Sequence, residues 1–241
     1  MGQADRHSLR DAFLLHRRHY RETSLLLDIF ARDYGILRLT AKGALRGKGG
    51  RFGVLQPFAP LNLGWTLRGE PAVLTLAESR GKPYELSGKT LFCGFYLNEL
   101  LLRLLPEHDP HPGVFAVYEQ SLARLHSGEA LDETLRFFEL ALLEGIGYGL
   151  ELDHDAESGA DIRPERHYDY RLEQGPVESI PGGGAHTIQG STLLGLRDGV
   201  LPGPVEISEA KRLMRRLINH HLDGRPLKSR ELFTANRFRP G

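Results

Sequence analysis

Short runs in which hydrophobic and polar residues alternate fill the first third of the chain. A period of two, with Val, Ile, Thr and aromatic residues enriched, is typical of β-strands with one buried face. The strands predicted on this basis cover Leu9–His16, Glu22–Ala31, Ile36–Thr40, Val54–Phe58, Pro60–Leu67 and Ala72–Ser79. No helix long enough for a βαβ crossover is predicted between them. The pattern therefore predicts a small barrel, and a five-stranded OB-type barrel fits the size best.

From Ser87 onward the hydrophobic period becomes that of an amphipathic helix. Helices are predicted over Ser87–Leu105, Gly113–His126, Leu131–Gly145 and roughly Ser208–Leu222. Pro106 ends the first helix, and Gly224-Arg225-Pro226 follows the last, as is common at helix ends.

Residues 151–190 lose this periodicity and gain Gly, Pro, Asp and His, which predicts a loop-rich insert. The predicted fold class is therefore α+β. Its three domains are an OB-type barrel at 1–84, a helical domain from 85–150 and 191–241, and the insert at 151–190.

The chain has 241 residues, of which 40% are hydrophobic, so it can form buried cores. Its longest apolar stretch, Leu91–Leu105, is interrupted by polar residues and cannot span a membrane. Met1–Arg10 is polar and lacks the charged-then-apolar pattern of a secretion signal. The single cysteine, Cys93, excludes an internal disulfide. These features predict a cytoplasmic protein.

Positive and negative charges cancel over the whole chain but are separated along it. Residues 1–84 contain 14 Lys/Arg and 7 Asp/Glu, residues 85–204 contain 8 and 20, and residues 205–241 contain 9 and 4. A basic head and tail around an acidic middle favour a polyanion-binding surface and a separate acidic surface for partners.

The first candidate site is the glycine-rich basic loop Ala41–Arg51, with the basic residues that precede it. OB barrels bind single strands through phosphate neutralisation and base stacking on aromatic side chains. The predicted nucleic-acid-binding residues are Arg17, Arg18, Arg21, Arg38, Lys42, Arg46, Lys48 and Arg51. The aromatic residues that could stack on bases, or belong to the core, are Tyr20, Tyr34, Phe52, Phe58 and Trp65. The alternative is a solvated loop that only connects two strands.

The last predicted helix supplies a second candidate surface. Its basic residues, also predicted to bind nucleic acid, are Lys211, Arg212, Arg215 and Arg216. Arg212 and Arg216 are one helical turn apart and the other two lie on adjoining rows, so one face is strongly positive. A solvated face balanced by Glu206 and Glu209 is equally compatible with this pattern.

No catalytic or metal-binding motif is complete. Gly88-Lys89-Thr90 resembles the end of a phosphate-binding loop, but Pro83 stands where the first glycine is required. Gly145–Gly149 follows a predicted helix rather than a strand, so it is not a dinucleotide fingerprint. Two His/Asp-rich stretches, 108–111 and 154–169, lack the spacing of a closed zinc site. We therefore predict a protein that is not an enzyme.

Several segments, in their order and spacing, resemble the RecO family of bacterial recombination mediators over nearly the full chain. They are Tyr20–Ser24, Leu25–Phe30, the Gly35 turn, Ala41–Ala44, Leu55–Phe58, Tyr96–Leu101 and Gly224–Arg230. The resemblance implies an OB domain, a helical domain and a zinc-finger-like insert. It also implies binding to single- and double-stranded DNA and annealing of complementary strands. The implied partners are RecR and single-strand-binding protein (SSB), with RecA loaded onto SSB-coated strands.

The chain departs from the family pattern in the insert. The family often carries two cysteine pairs there, and Asp155 and Ser158 stand where the first pair is expected. The second pair is expected near Glu178 and Pro181, which also lack sulfur. These residues are poor substitutes for thiolates in a tetrahedral zinc site. We therefore expect no cofactor, and a finger held by packing.

Three other functions stay open on the sequence alone. An RNA-binding OB protein has the same charge pattern, because phosphate neutralisation does not separate DNA from RNA. A metal-dependent hydrolase could use the His/Asp-rich insert. A scaffold could use the basic segments to contact acidic proteins.

Overall fold

The computed structural model describes residues 9–45, 53–66, 71–180, 184 and 186–235. The described residues form two compact units. The first contains the residues up to Ser127 together with those from Ser229 onward, and the second contains residues 128–228. The three domains with boundaries near 84, 150 and 190 stay a prediction.

The first unit contains a closed barrel, as the alternating pattern predicted. Its strands are β1 (Arg10–Tyr20), β2 (Ser24–Ala31), β3 (Gly35–Ala41), β4 (Pro60–Thr66) and β5 (Ala72–Ser79). Their order is β1-β2-β3-β5-β4, with β4 paired to β1 and β3 parallel to β5. Alternate residues point inward, and their Leu, Ile and Ala side chains fill the interior. The predicted α+β class with an N-terminal OB-type barrel is confirmed.

One predicted strand does not form. Val54–Phe58 lies outside the strands, although Leu55 is 1% exposed and belongs to the barrel core. Pro57 has no N–H to donate to a ladder, and Phe58 has a positive φ of 62° that no strand adopts. The hydrophobic residues of this segment therefore reach the barrel interior from a loop.

Helices complete the first unit. α1 (Gly88–Leu104) and α2 (Pro112–Ser127) follow the barrel, as the helical period predicted. A short helix that the sequence did not predict, α6 (Lys228–Ala235), comes last. At its start the backbone N–H and hydroxyl of Ser229 both donate to Glu99 on α1, which fixes the first turn of α6 to α1.

A buried amide joins both helices to the barrel. Asn98 on α1 donates from Nδ2 to the carbonyl of Leu15 at 2.9 Å, and its Oδ1 accepts from the Tyr118 hydroxyl on α2 at 2.6 Å. Leu15 lies at a β-bulge in β1, where the ladder is interrupted. Burial raises the pKa of Tyr118, so the phenol stays neutral and can donate.

Replacing Asn98 with alanine is expected to lower the free energy of unfolding by about 3 kcal/mol, because it removes the partner of two buried groups. Tyr118→Phe removes only the second hydrogen bond and should cost about half as much. Urea unfolding followed by circular dichroism measures both losses. Equal losses for the two variants would contradict the role of Asn98 at the bulge.

The second unit combines helices with a small sheet. Its helices are α3 (Leu131–Gly145), α4 (Gly190–Asp198) and α5 (Pro204–His221). Its strands are β6 (His167–Arg171), β7 (Gly175–Ser179) and β8 (Thr187–Gln189), in the order β7-β6-β8. The insert predicted as loop-rich therefore contains a sheet, and α4 was not predicted. Among the described residues, no helix has both the length and the apolar character that a membrane span requires.

Candidate nucleic-acid interface

The outer face of the β1–β2–β3 sheet has a half that is covered by α2 and a half that carries exposed charges. Phe115 on α2 packs on the covered half, with its ring centroid 5.4 Å from that of Phe13 and 5.3 Å from that of Phe30. On the half that α2 does not cover, the strand register places residues side by side in two rows across β1, β2 and β3. The first row is His16, Asp28 and Arg38, and the second is Arg18, Leu26 and Thr40. Residues opposite one another in antiparallel strands point to the same side of the sheet.

Two turns continue this charged half beyond the ends of the strands. Arg21 lies in the β1–β2 turn with a positive φ of 54°, and Lys42 directly follows β3. The turns adjoin, because the N–H of Leu45 donates to the carbonyl of Thr23 at 3.1 Å. We call the surface formed by Arg18, Arg21, Arg38 and Lys42 the cationic barrel face.

The cations of this face differ in their partners. Arg38 donates from Nε to Asp28 at 2.8 Å, and its Nη2 lies 3.6 Å from Glu107. The hydrogen bond to Asp28 raises the pKa of Arg38 and neutralises its charge locally. In contrast, no carboxylate in the described part of the chain pairs with the three remaining cations. These three cations are Arg18, Arg21 and Lys42.

Arg17 lies on the opposite side of β1 from Arg18, since neighbouring strand residues alternate. Its Nη1 donates to the carbonyl of Leu55 at 2.8 Å and so ties β1 to the loop before β4. Arg17 thus has a structural contact, and its exposed side chain borders the face rather than forming part of it. Arg46, Lys48 and Arg51 lie outside the described residues, so their role in binding stays a prediction.

The aromatic residues also divide between core and surface. Phe58 and Trp65 are 5% and 4% exposed, and Tyr34 packs edge-on against Trp65 at 5.2 Å. Tyr20 lies two residues after Arg18 on β1 and therefore on the same side of the strand, with the Arg21 guanidinium 5.2 Å from its ring centroid. Tyr20 is the described aromatic residue that accompanies the cationic face, and Phe52 lies outside the described residues.

The ionisable residues beside this face were not predicted from the sequence. His16 shares the row of Arg38 and lies 3.5 Å from the second oxygen of Asp28. The available signal was the spacing of His16, Arg18 and Tyr20. Residues two apart on one strand lie on the same side of it.

On α5 the four predicted basic residues do not behave alike. Lys211 pairs with Asp132 at 2.8 Å, and Arg212 donates to the carbonyl of Thr187 at 2.9 Å. Arg215 is exposed and Arg216 is half-buried, and no carboxylate in the described ranges pairs with either. The strongest free positive charge on this helix is therefore at its last two arginines.

A small cavity adjoins α5. Its lining residues are His186, Ile188, Glu209, Arg212, Leu213 and Arg216. The cavity of about 20 Å³ has room for about one water molecule. The Glu209 carboxylate in its wall accepts from the Gln189 N–H at 2.9 Å and from the Thr192 hydroxyl at 2.6 Å. It is a polar niche in the second unit, too small for a nucleotide.

The residues at the expected zinc positions do not fit a closed zinc site. Both oxygens of Asp155 accept hydrogen bonds, and the Ser158 hydroxyl donates to one of them at 2.8 Å. The Glu178 carboxylate pairs instead with Arg166 at 3.0 Å, and Pro181 lies outside the described residues. Within the described ranges, no group of three or more His, Cys, Asp or Glu side chains is arranged to hold a metal ion.

Comparisons with known proteins agree with this architecture. Residues 7–81 match the family model described as Recombination protein O N terminal, and residues 86–231 match Recombination protein O C terminal. The chain is similar to the DNA repair protein RecO of Methylococcus capsulatus, with 54% identity covering 98% of this chain and 96% of that protein. Proteins of the same name from Nitrosococcus oceani and Pseudomonas aeruginosa are 46% and 44% identical. They cover 93% and 95% of this chain, and 92% and 95% of their own lengths.

Proposed function

This chain belongs to the RecO family of DNA repair and recombination proteins, and we propose that it is a DNA-binding recombination mediator. It binds single- and double-stranded DNA, anneals complementary strands, and with RecR helps to load RecA onto SSB-coated DNA. The observation that carries the proposal is the cationic barrel face, where Arg18, Arg21 and Lys42 have no carboxylate partner among the described residues.

Unpaired cations favour a polyanion because their charge is not already compensated within the protein. Arg32 and Arg38, by comparison, are held by carboxylates at 3.2 Å and 2.8 Å. A phosphate that approached either arginine would compete with an existing ion pair. Phosphates that contact Arg18, Arg21 and Lys42 instead release counterions from the DNA, which drives binding.

Annealing requires no catalytic residue in this mechanism. Two complementary strands repel each other through their phosphates, and a cationic surface that neutralises both lowers this barrier. Base pairing then supplies the driving force. Tyr20, beside the cationic face, offers a ring on which an unpaired base can stack. The protein is therefore a mediator rather than an enzyme, and it acts in the cytoplasm without a cofactor.

The second unit contributes a separate DNA contact through α5. Arg215 and Arg216, which have no carboxylate partner among the described residues, contact phosphates. Arg212 and Lys211 adjoin them, but each is already engaged within the protein. We therefore expect Arg215 and Arg216 to contribute more to DNA affinity than Lys211. The acidic middle of the chain is left for protein partners, RecR and SSB among them.

The triple variant R18A/R21A/K42A is expected to bind single-stranded DNA on the order of tenfold more weakly at moderate salt. Each lost phosphate contact lowers the salt dependence as well, so the slope of log affinity against log salt should fall by about 2. Fluorescence anisotropy of a labelled oligothymidine, titrated at several NaCl concentrations, measures both quantities.

A second triple variant, K82A/K89A/R124A, serves as the matched control. It removes the same charge from exposed positions elsewhere in the first unit. It should bind with nearly wild-type affinity and slope. An equal loss of DNA affinity in both variants would mean that net charge, not the cationic barrel face, determines binding. Unchanged affinity in R18A/R21A/K42A would show that the cationic barrel face is not the DNA-binding site.

The mediator role requires its own measurement. Complementary strands coated with SSB are mixed with the wild-type chain, with and without RecR, and pairing is followed by fluorescence quenching. We expect the chain to accelerate pairing and the R18A/R21A/K42A variant to lose most of this effect. Acceleration of RNA pairing to the same extent would favour an RNA-binding function instead.

A further inference from the structure

Asp155 is a buried carboxylate in a segment that is otherwise largely exposed. Its residue is 5% exposed, whereas the neighbouring Glu157 and Ser158 are exposed. A carboxylate taken out of water is costly unless donors compensate its charge. The hydrogen-bond partners of Asp155 therefore show which segments of the insert this carboxylate holds together.

Four donors converge on the two oxygens of this carboxylate. Oδ1 accepts from the backbone N–H of Glu157 at 3.0 Å, and from the N–H and hydroxyl of Ser158 at 2.6 and 2.8 Å. Oδ2 accepts from the backbone N–H of Glu178, which is 23 residues further along the chain, on β7. One side chain thus joins two segments that are distant in sequence.

Backbone hydrogen bonds surround the same point. The Asp155 N–H donates to the Ala160 carbonyl, and the Gly159 N–H donates to the Asp155 carbonyl, both at 2.8 Å. The Ala156 N–H donates to the carbonyl of Pro176 at the start of β7, also at 2.8 Å. The 155–160 turn is therefore closed by its own hydrogen bonds. It is attached to β7 at two points, Pro176 and Glu178.

We propose that the Asp155 carboxylate is the cross-link of this insert and occupies the structural role that a metal centre would have. The two segments that it joins, around 155–158 and at 178, are those in which the family pattern places paired cysteines. In a zinc finger, two pairs of cysteine thiolates bind one zinc ion. Here, hydrogen bonds to the Asp155 carboxylate take the place of those metal–ligand bonds. The insert therefore keeps its shape without zinc and does not respond to thiol oxidation.

The electrostatics of the site are consistent with an ionised side chain. Burial alone would raise the pKa of Asp155, but the hydrogen bonds from Ser158, Glu178 and Glu157 outweigh it and lower the pKa below its usual 3.8. The charged groups on the adjoining residues are themselves paired, Glu157 with Arg171 and Glu178 with Arg166. The carboxylate contributes stability above the pKa of the unfolded chain, and this contribution is lost as pH falls through the lower, folded pKa.

Asp155→Asn in the full-length chain tests the proposal, because the amide keeps the shape but removes the charge and one acceptor oxygen. Hydrogen exchange of the backbone amides of Ser158 and Glu178 should accelerate roughly tenfold to hundredfold. Asp161→Asn, at an exposed position in the same segment, is the control and should leave these amides unchanged. In the wild type, EDTA should leave their exchange unchanged, and added Zn²⁺ should not raise the unfolding temperature.

Two results would overturn the proposal. One is unchanged exchange at Ser158 and Glu178 in the Asp155→Asn variant. The other is loosening of these amides when EDTA is added to the wild type, together with near-stoichiometric metal in the purified protein. If the variant does not fold, hydrogen exchange of the wild type tests the proposal: protection of these amides that survives EDTA supports the carboxylate as the cross-link, and protection lost to EDTA rejects it.

Discussion

Replacing Gly35 with alanine is expected to lower the free energy of unfolding by about 4 kcal/mol or more. Gly35 forms the β2–β3 turn with φ of 70°, where a side chain is already strained. A Cβ would also lie 2.1 Å from the backbone oxygen of Asp109, which cannot rotate away. The loop around Asp109 is bound to β3, because the His108 N–H donates to the Ile36 carbonyl at 3.0 Å. The substitution must therefore disrupt the turn or this loop.

Gly88→Ala separates the clash from the backbone strain. Gly88 belongs to the same unit and has φ of 51°, but no neighbouring atom lies within 4 Å of a Cβ placed there. This control should cost only about 1 kcal/mol. Guanidinium unfolding followed by circular dichroism compares the two variants. Similar losses at the two positions would show that the approach of Asp109 is not what requires glycine at 35.

Phe115→Ala is expected to lower the free energy of unfolding by about 3 to 5 kcal/mol. Phe115 is fully buried, and its ring is in contact range of Phe13 and Phe30 on the barrel. The Arg32 guanidinium also lies 4.8 Å from its centroid. Truncation leaves a cavity between α2 and the sheet and removes all of these contacts.

Phe115→Leu retains most of the apolar volume and should cost about 1 to 2 kcal/mol. Urea unfolding gives the free energies, and binding of the dye ANS reports any exposure of the covered half of the sheet. We expect increased ANS binding for the alanine variant alone. A loss below about 1 kcal/mol for Phe115→Ala would mean that α2 is not held on the barrel by this residue.

The barrel was predictable because the alternation of hydrophobic and polar residues along a strand can be read directly from the local sequence. β2 and β3 each place Leu or Ile at every second position, and the Gly35 turn between them needs the left-handed φ that glycine provides. Closure of the barrel was inferred from strand number and size. Val54–Phe58 was predicted wrongly because its hydrophobic residues fill the core from a loop, and burial alone does not distinguish a loop from a strand.

The insert was harder to predict, for a physical reason. Its strands are three to five residues long, and their pairing depends on partners rather than on intrinsic propensity. Tyr168 and Tyr170 alternate with polar residues and were the available signal for β6. The start of α5 was also marked in the sequence, because Pro204 follows Gly203 and proline favours the first turn of a helix.

The sequence predicted the positive charge of the candidate site but not which cations are free. Arg38 and Arg18 looked equivalent along the chain, yet Arg38 pairs with Asp28 because the β2–β3 register sets them opposite each other. Arg17 contacts Leu55, 38 residues away. Such pairings depend on register and on long-range contacts, so only the folded chain separates Arg18, Arg21 and Lys42 from the rest.

We expect the seam between β3 and β5 to form after the hairpins, together with the β1–β4 ladder that also closes the barrel. Among the described residues its parallel ladder joins Leu39 to Ala72 and Thr40 to Val73, whereas the β1–β2 and β2–β3 hairpins pair along most of their length. Joining strands so distant in sequence costs more loop entropy than forming hairpins. We therefore expect the meander that carries Arg18 to acquire its shape early. We expect local opening of the native barrel to begin at the β3–β5 seam, while the surface proposed to meet phosphates stays ordered.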